Sequence, residues 1–235
     1  MSYTSNFGLA VAQMTVHPDP GDVATLKDSG RQIRQLMREA HRSGARLIQF
    51  PEGATCSPHK AVMSVHGPEK LGPADWGRAN KITSMYTPGS APVTFDVDGL
   101  RFGCALGMEA TYPEVFLEYE RLDVDCVPVS THGPGIEINN GPFALQARAH
   151  AAANSYWVSY SGTAQDAVNA PSGVISPDGE WLDRCPRETT PAVVVVDLDG
   201  SSENLARPWR RNARTGIYDP HLLPGDPQSL NRAAF

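Results

Sequence analysis

The stretch from Arg101 to Glu114, RFGCALGMEATYPE, limits the folds open to this chain more than any other. Its apolar run reads as a buried strand and Gly107 as the turn that ends it. Tyr112-Pro113-Glu114 opens a helix, because proline is favoured at the first helical position. Other segments supply matching units. Val23, Leu26, Ile33, Leu36, Met37 and Ala40 recur at helical spacing between a strand over 8–13 and one over 46–50, and Gly44 closes that helix. Residues 113–122 form a short helix with Val115, Phe116, Tyr119 and Leu122 able to share a face, and 125–129 returns as a strand. Residues 144–154 are alanine-rich and helical, 156–161 is a strand, and 191–199 is a continuous apolar strand buried on both sides. This alternation predicts an α/β fold.

Composition narrows the class of function. With 235 residues, 40% of them hydrophobic, the chain can bury one substantial core, and nothing in it requires two domains; we read 1–235 as a single domain with a C-terminal tail over 200–235. A net charge of -6 argues against a general nucleic-acid binder, which needs a concentrated basic surface. The one basic cluster, Arg207, Arg210, Arg211 and Arg214 around Trp209, reads as a solvated or subunit-facing tail. The N-terminus lacks the regions of a signal peptide, and no apolar run approaches a membrane span, so a cytoplasmic protein without membrane partners is expected. Four cysteines in such a chain suggest reduced thiols, with Cys104 and Cys126 as small buried hydrophobes. Cys56 and His59 form a C-x-x-H half-site without a second pair, so no metal is expected. No glycine-rich phosphate loop and no G-x-S-x-G elbow occurs.

The ordered motifs resemble the nitrilase, or carbon–nitrogen hydrolase, superfamily. There a strand of the form R-x-G-x-x-x ends in C-x-D/E and is followed within a few residues by F-P-E; this chain has the same frame with Gly107, Glu109 and Tyr112-Pro113-Glu114. Gly8-Leu-Ala-Val-Ala-Gln13 is similar to the family's first strand, and Arg46-Leu-Ile-Gln-Phe-Pro-Glu52-Gly53 to its second. Residues 87–99 resemble the hairpin before the nucleophile strand; Phe143–Ala149 and Ser172–Gly179 are also typical. The resemblance implies an α-β-β-α sandwich. It also implies amide or nitrile chemistry, in which a cysteine thiolate attacks carbon, a glutamate moves protons and a lysine stabilises the developing charge.

Residue by residue, the family's roles transfer unevenly. Glu52 takes the position of the base. Lys81 is the only lysine close before the T-P-G segment, but it lacks the family's Y-x-K-x-x-L surroundings. Gly107 stands at the nucleophile position and has no side chain to attack with. Cys104, three residues upstream, is expected on the opposite face, pointing into the packed interior. Cys56 lies in a loop able to fold over the pocket, Glu109 keeps the acidic position after the nucleophile, and His132 lies in the run Ser130-Thr-His-Gly133 that would shape the pocket. Glu52 and Gly107 are expected to end neighbouring parallel strands and face one cavity.

Residues 53–90 show no sustained period and are punctuated by glycine and proline. The family places a helix and several strands there, so this chain reads as internally shortened, with one sheet incomplete and an edge or apolar face left exposed. Three readings follow: a hydrolase or lyase in which Glu52 activates water, an inactive homologue that binds a small amide, carboxylate or partner subunit, and a broken gene product. A homodimer through 113–122 and the Trp209 tail is the default, and no cofactor is implied.

Overall fold

A computed structural model describes residues 6–17, 22–55, 91–132, 141–199, 206, 207 and 209. The chain parts into two compact units, Met1–Ser202 and Glu203–Phe235. Of the second, Ala206, Arg207 and Trp209 are described; they are helical and Trp209 is exposed.

The first unit is layered around β1 (Phe7–Gln13), whose seven residues are all buried. β1 pairs antiparallel with β10 (Ala192–Leu198) and parallel with β2 (Leu47–Gln49), giving a sheet ordered β10-β1-β2. Between β1 and β2 runs α1 (Val23–Arg42), the crossover that a parallel pair requires. Asp22 caps its start by accepting the Ala24 N–H at 2.8 Å. Its end is a Schellman motif: Gly44 takes φ +84°, Ala45 N–H donates to the Ala40 carbonyl at 3.0 Å and Gly44 N–H to the His41 carbonyl at 3.1 Å.

The second sheet contains β3 (Phe95–Val97), β4 (Leu100–Phe102), β6 (Cys126–Ser130), β7 (Trp157–Ser161), β8 (Gly173–Ile175) and β9 (Trp181–Arg184) in that order, with the two-residue β5 (Ala105–Leu106) beside β6. Positive φ at both Asp98 and Gly99 makes the tight β3–β4 turn. Asp98 also accepts from Arg46 Nε at 2.6 Å, which ties this hairpin to the start of β2. Two helices, α2 (Pro113–Arg121) and α3 (Gly141–Asn154), cover the outer face.

Three cores separate the layers. Phe7, Leu9 and Val11 meet Phe102, Cys126 and Val174 between the sheets. Phe116, Tyr119, Ala147 and Ala151 pack on Val127, Val129, Val158 and Tyr160 beneath α2 and α3. Leu36 and Ile33 of α1 meet Ala12, Met14 and Ile48. The arrangement is an α-β-β-α sandwich. Among the described residues one sheet has three strands and the other seven.

Several local expectations change. β10 is apolar on both faces because Val194 and Leu198 meet the other sheet while Val193 meets α1, but several of its residues are only half-buried because it lies at a sheet edge. On α1, Val23, Leu26 and Met37 are 62%, 40% and 49% exposed, so the helix buries only one side of its apolar stripe. Leu122 caps α2 and is exposed. Cys104 does not enter the core: the strand breaks at Gly103 and Cys104, which interrupts the alternation, and Cys104 is exposed. A Cβ on Gly103 would lie 2.6 Å from the Tyr119 ring, and Tyr119 Oη donates to the Cys104 carbonyl at 2.6 Å, so α2 holds the break in place.

Two glycines test the β1–α1 junction. A Cβ on Gly8 would lie 2.6 Å from the Gly44 carbonyl oxygen, an immovable backbone atom, whereas a Cβ on Gly44 meets nothing within 4 Å. Gly44→Ala is expected to lose about 1 kcal/mol through its positive φ alone. Gly8→Ala is expected to lose upward of ~2 kcal/mol, because the backbones must separate. Urea unfolding midpoints check the order.

Candidate active site

Glu52 lies three residues past the end of β2, in the turn Glu52–Gly53, and is half-buried. Gly107 directly follows β5 and opens a 3-10 turn over Gly107–Thr111. The two therefore belong to different sheets, not to neighbouring parallel strands, because β2 pairs with β1 while β5 pairs with β6. They nevertheless face each other across the end of the sandwich: a Cβ on Gly107 would lie 2.8 Å from Glu52 Oε2 and 3.5 Å from its Cδ. Gly107 has φ +49°, a conformation that glycine adopts without penalty.

His132 reaches this point through its backbone. Two residues past β6, its N–H donates to Glu52 Oε2 at 3.2 Å. Glu109 holds the turn, its Oε2 accepting the Leu106 N–H at 2.9 Å. Burial raises the Glu52 pKa above its ordinary value; the His132 N–H opposes this and the Glu109 charge adds to it. A buried carboxylate with a raised pKa and a nearby second carboxylate is suited to taking up a proton or accepting N–H donors.

The structure thus brings Glu52, Gly107, Glu109 and the His132 backbone together. Lys81 and Cys56 lie outside the described residues. Among the described residues no group of three His, Cys, Asp or Glu side chains is placed to hold a metal ion, and no helix is long and apolar enough to cross a membrane.

Two residues at the site had no motif to announce them. Gln49 Nε2 donates to Ser130 Oγ at 3.0 Å, and Ser130 Oγ donates to the Phe50 carbonyl at 2.8 Å. Among the described residues Gln49 Oε1 is buried without a hydrogen-bond partner, which costs about 1–3 kcal/mol. The available signal was a glutamine inside an apolar strand, Leu47-Ile-Gln-Phe50.

The Glu52 environment sets a pH dependence. Because its folded-state pKa is raised above the ordinary 4.5, the folded chain binds this proton more tightly than the unfolded one. The stability that this group contributes is fully present below 4.5 and is lost as pH rises through the raised folded value. Glu52→Gln is therefore expected to raise the unfolding temperature by a few degrees at pH 7, with the gain fading toward pH ~4. Thermal unfolding across that range checks it.

By sequence, no family model and no curated protein matches the chain. By structure it is similar to a cysteine-to-serine mutant of the Nesterenkonia AN1 amidase from the nitrilase superfamily, with TM-score 0.62 and 17% identity over 88% of this chain and 98% of that one. A cysteine-to-alanine mutant of the same amidase in complex with butyramide gives TM-score 0.62 and 18% identity, over 87% and 97%. A glutamate-to-glutamine mutant showing covalent addition of the acetamide moiety of fluoroacetamide at the active-site cysteine gives 0.61 and 17%, over 89% and 98%. Layer order, sheet pairing and these likenesses agree that the chain has the α-β-β-α fold of these nitrilase-superfamily amidase structures.

Proposed function

We propose that the chain is a carbon–nitrogen hydrolase-like protein of the amide and nitrile class in which Glu52 is the base and the covalent route is closed. One observation carries this: the space where a side chain at 107 would begin lies 2.8 Å from the Glu52 carboxylate, so the two positions that the resemblance assigns to base and nucleophile lie side by side, and the second is glycine. The remaining route is direct. Glu52 takes a proton from water as that water attacks the amide carbon, and returns it to the nitrogen as the tetrahedral centre breaks its C–N bond and expels the amine, leaving the carboxylic acid. This forgoes the division of hydrolysis into acyl transfer and deacylation, so turnover is expected to be very low.

A second reading, an inactive homologue that binds a small amide or a partner subunit, is favoured by the same closeness: the Glu52 carboxylate fills part of the volume a nucleophile would need. Lys81 belongs to the proposal as the candidate cation, with Cys56, Glu109 and His132 as pocket residues. We extend the reading to a cytoplasmic homodimer. Free thiols at Cys104, Cys126 and Cys185 support a reducing compartment, and exposed Tyr112, Leu122 and Trp209 support subunit contact through the α2 region and the tail.

Intact-mass analysis after exposure to butyramide, fluoroacetamide and activated nitriles separates the routes. The wild-type chain is expected to carry no acyl adduct, and Gly107→Cys to gain one at the new thiol. Glu52→Gln should abolish any slow release of ammonia by the wild type, while butyramide still raises the unfolding temperature if the site only binds. An acyl adduct on wild-type Cys104, or brisk turnover lost in Cys104→Ser, overturns the proposal.

A further inference from the structure

Two hydrogen bonds cross the sandwich beside the Glu52 carboxylate, and both pass through Ser130 Oγ, which accepts from Gln49 Nε2 at 3.0 Å and donates to the Phe50 carbonyl at 2.8 Å. Their placement in the two sheets is specific. Gln49 is the last residue of β2, on the strand that leads to Glu52. Ser130 is the register partner of Leu106, the residue immediately before Gly107. It also lies two residues before His132, whose N–H meets Glu52. The clip therefore joins the chain segment that carries Glu52 to the strand beside the 107 turn, although the two belong to different sheets.

Packing does not explain the glutamine. Gln49 is 7% exposed and its Oε1 has no partner among the described residues, so an apolar side chain of similar volume would fill the site without an unmet acceptor. What glutamine adds is the bond to Ser130. Local arrangements that give up stability in this way are expected where they fix a functional group.

We propose that Gln49 and Ser130 are positioning residues that hold the Glu52 carboxylate against the 107 turn. The inference rests on Glu52 as the base of the proposed function. Without the clip, the end of β2 can shift relative to β6, and a displacement of about 1 Å at a reacting group costs up to about a hundredfold in rate.

Gly107→Cys supplies the reporter. The close neighbour of the added Cβ is the end of the Glu52 side chain, which can give by a few tenths of an ångström while staying beside position 107, and the φ of +49° adds strain of about 1–2 kcal/mol. With iodoacetamide, the sulfur attacks the methylene carbon, a C–S bond forms as the C–I bond breaks and iodide leaves, and the thiol proton passes to Glu52. Peptide-resolved mass spectrometry gives the rate at position 107 separately from the other cysteines, and thermal unfolding is followed in parallel. In the Gly107→Cys chain, Glu52→Gln is expected to slow alkylation at neutral pH by about tenfold or more. Gln49→Leu and Ser130→Ala should each slow it by about tenfold. Gln49→Leu should do so without a lower unfolding temperature, and Ser130→Thr, which keeps the hydroxyl, should stay within about twofold of the parent. If Glu52→Gln slows the reaction but Gln49→Leu and Ser130→Ala do not, the positioning role is overturned and Glu52 as base stands. If Glu52→Gln has no effect, the base assignment and the clip's role both fall. Slowing in Gln49→Leu only in step with a lower unfolding temperature also overturns the proposal, because general loosening then accounts for it.

Discussion

Everything in the first unit hangs on β1 being buried on both faces. Phe7, Leu9 and Val11 face the larger sheet, while Ala12 and Met14 face the α1 side. A strand with no solvent side must satisfy its backbone entirely through neighbours, and β10 and β2 do so. Gly8 lets the Gly44 turn pass directly over the strand, and Arg46 N–H donates to the Gly8 carbonyl at 2.7 Å. That junction sets where β2 starts, and so where it releases Glu52. At the other end of β1, the buried Gln13 donates to the Pro186, Glu188 and Thr190 carbonyls and accepts the Ser172 N–H. One strand thus fixes the height of both sheets at the end that carries the site.

The site is an inter-sheet site, which explains its electrostatics. Glu52 arrives from the three-stranded sheet and Gly107, Glu109 and His132 from the larger one, so the carboxylate is held where both layers exclude water. Burial lifts its pKa, and the N–H from His132 offsets this only in part. A carboxylate that gives up hydration for one backbone donor and lies near a second carboxylate is an arrangement that folding stability alone does not favour. The glycine at 107 fits the same picture: its positive φ puts the turn against Glu52, and the missing side chain leaves the carboxylate room there.

The sequence makes the layers legible because their periodicities are local. Helical spacing around Leu36 and Ala40, proline at the start of α2 and the apolar stretches of β1, β6 and β7 each mark an element without knowledge of its neighbours. The frames around Glu52 and Gly107 mark the two halves of the site. What depends on several elements at once is not legible. Assigning Glu52 and Gly107 to different sheets requires knowing that β2 joins β1 and β5 joins β6. The exposure of Cys104 follows from a strand break that Tyr119, fifteen residues on, stabilises from α2. Val23, Leu26 and Met37 fit the helical period, yet only Leu36 and Ala40 on the adjoining side are fully covered. Periodicity identifies an apolar stripe, but not how much of it a neighbour reaches.

The contacts across the sandwich show why one polar position differs from the rest. Ser161 Oγ donates to the Ala12 carbonyl at 2.6 Å, and Ser172 N–H and Gln13 Oε1 meet at 3.2 Å; each joins the two sheets by pairing a donor with an acceptor. Ser159, on the same strand as Ser161, sets its hydroxyl beside the Cys126 thiol of the neighbouring strand, a contact within one sheet that leaves the separation of the two sheets unset. Gln49 differs in where its satisfied half goes. Its donor reaches the serine that is the register partner of Leu106, and that serine in turn bonds the backbone two residues before Glu52. An unmet acceptor accompanied by a cross-sheet bond at the site has a consequence that Ser159 lacks: it fixes the separation of the two strands whose ends the chemistry would use.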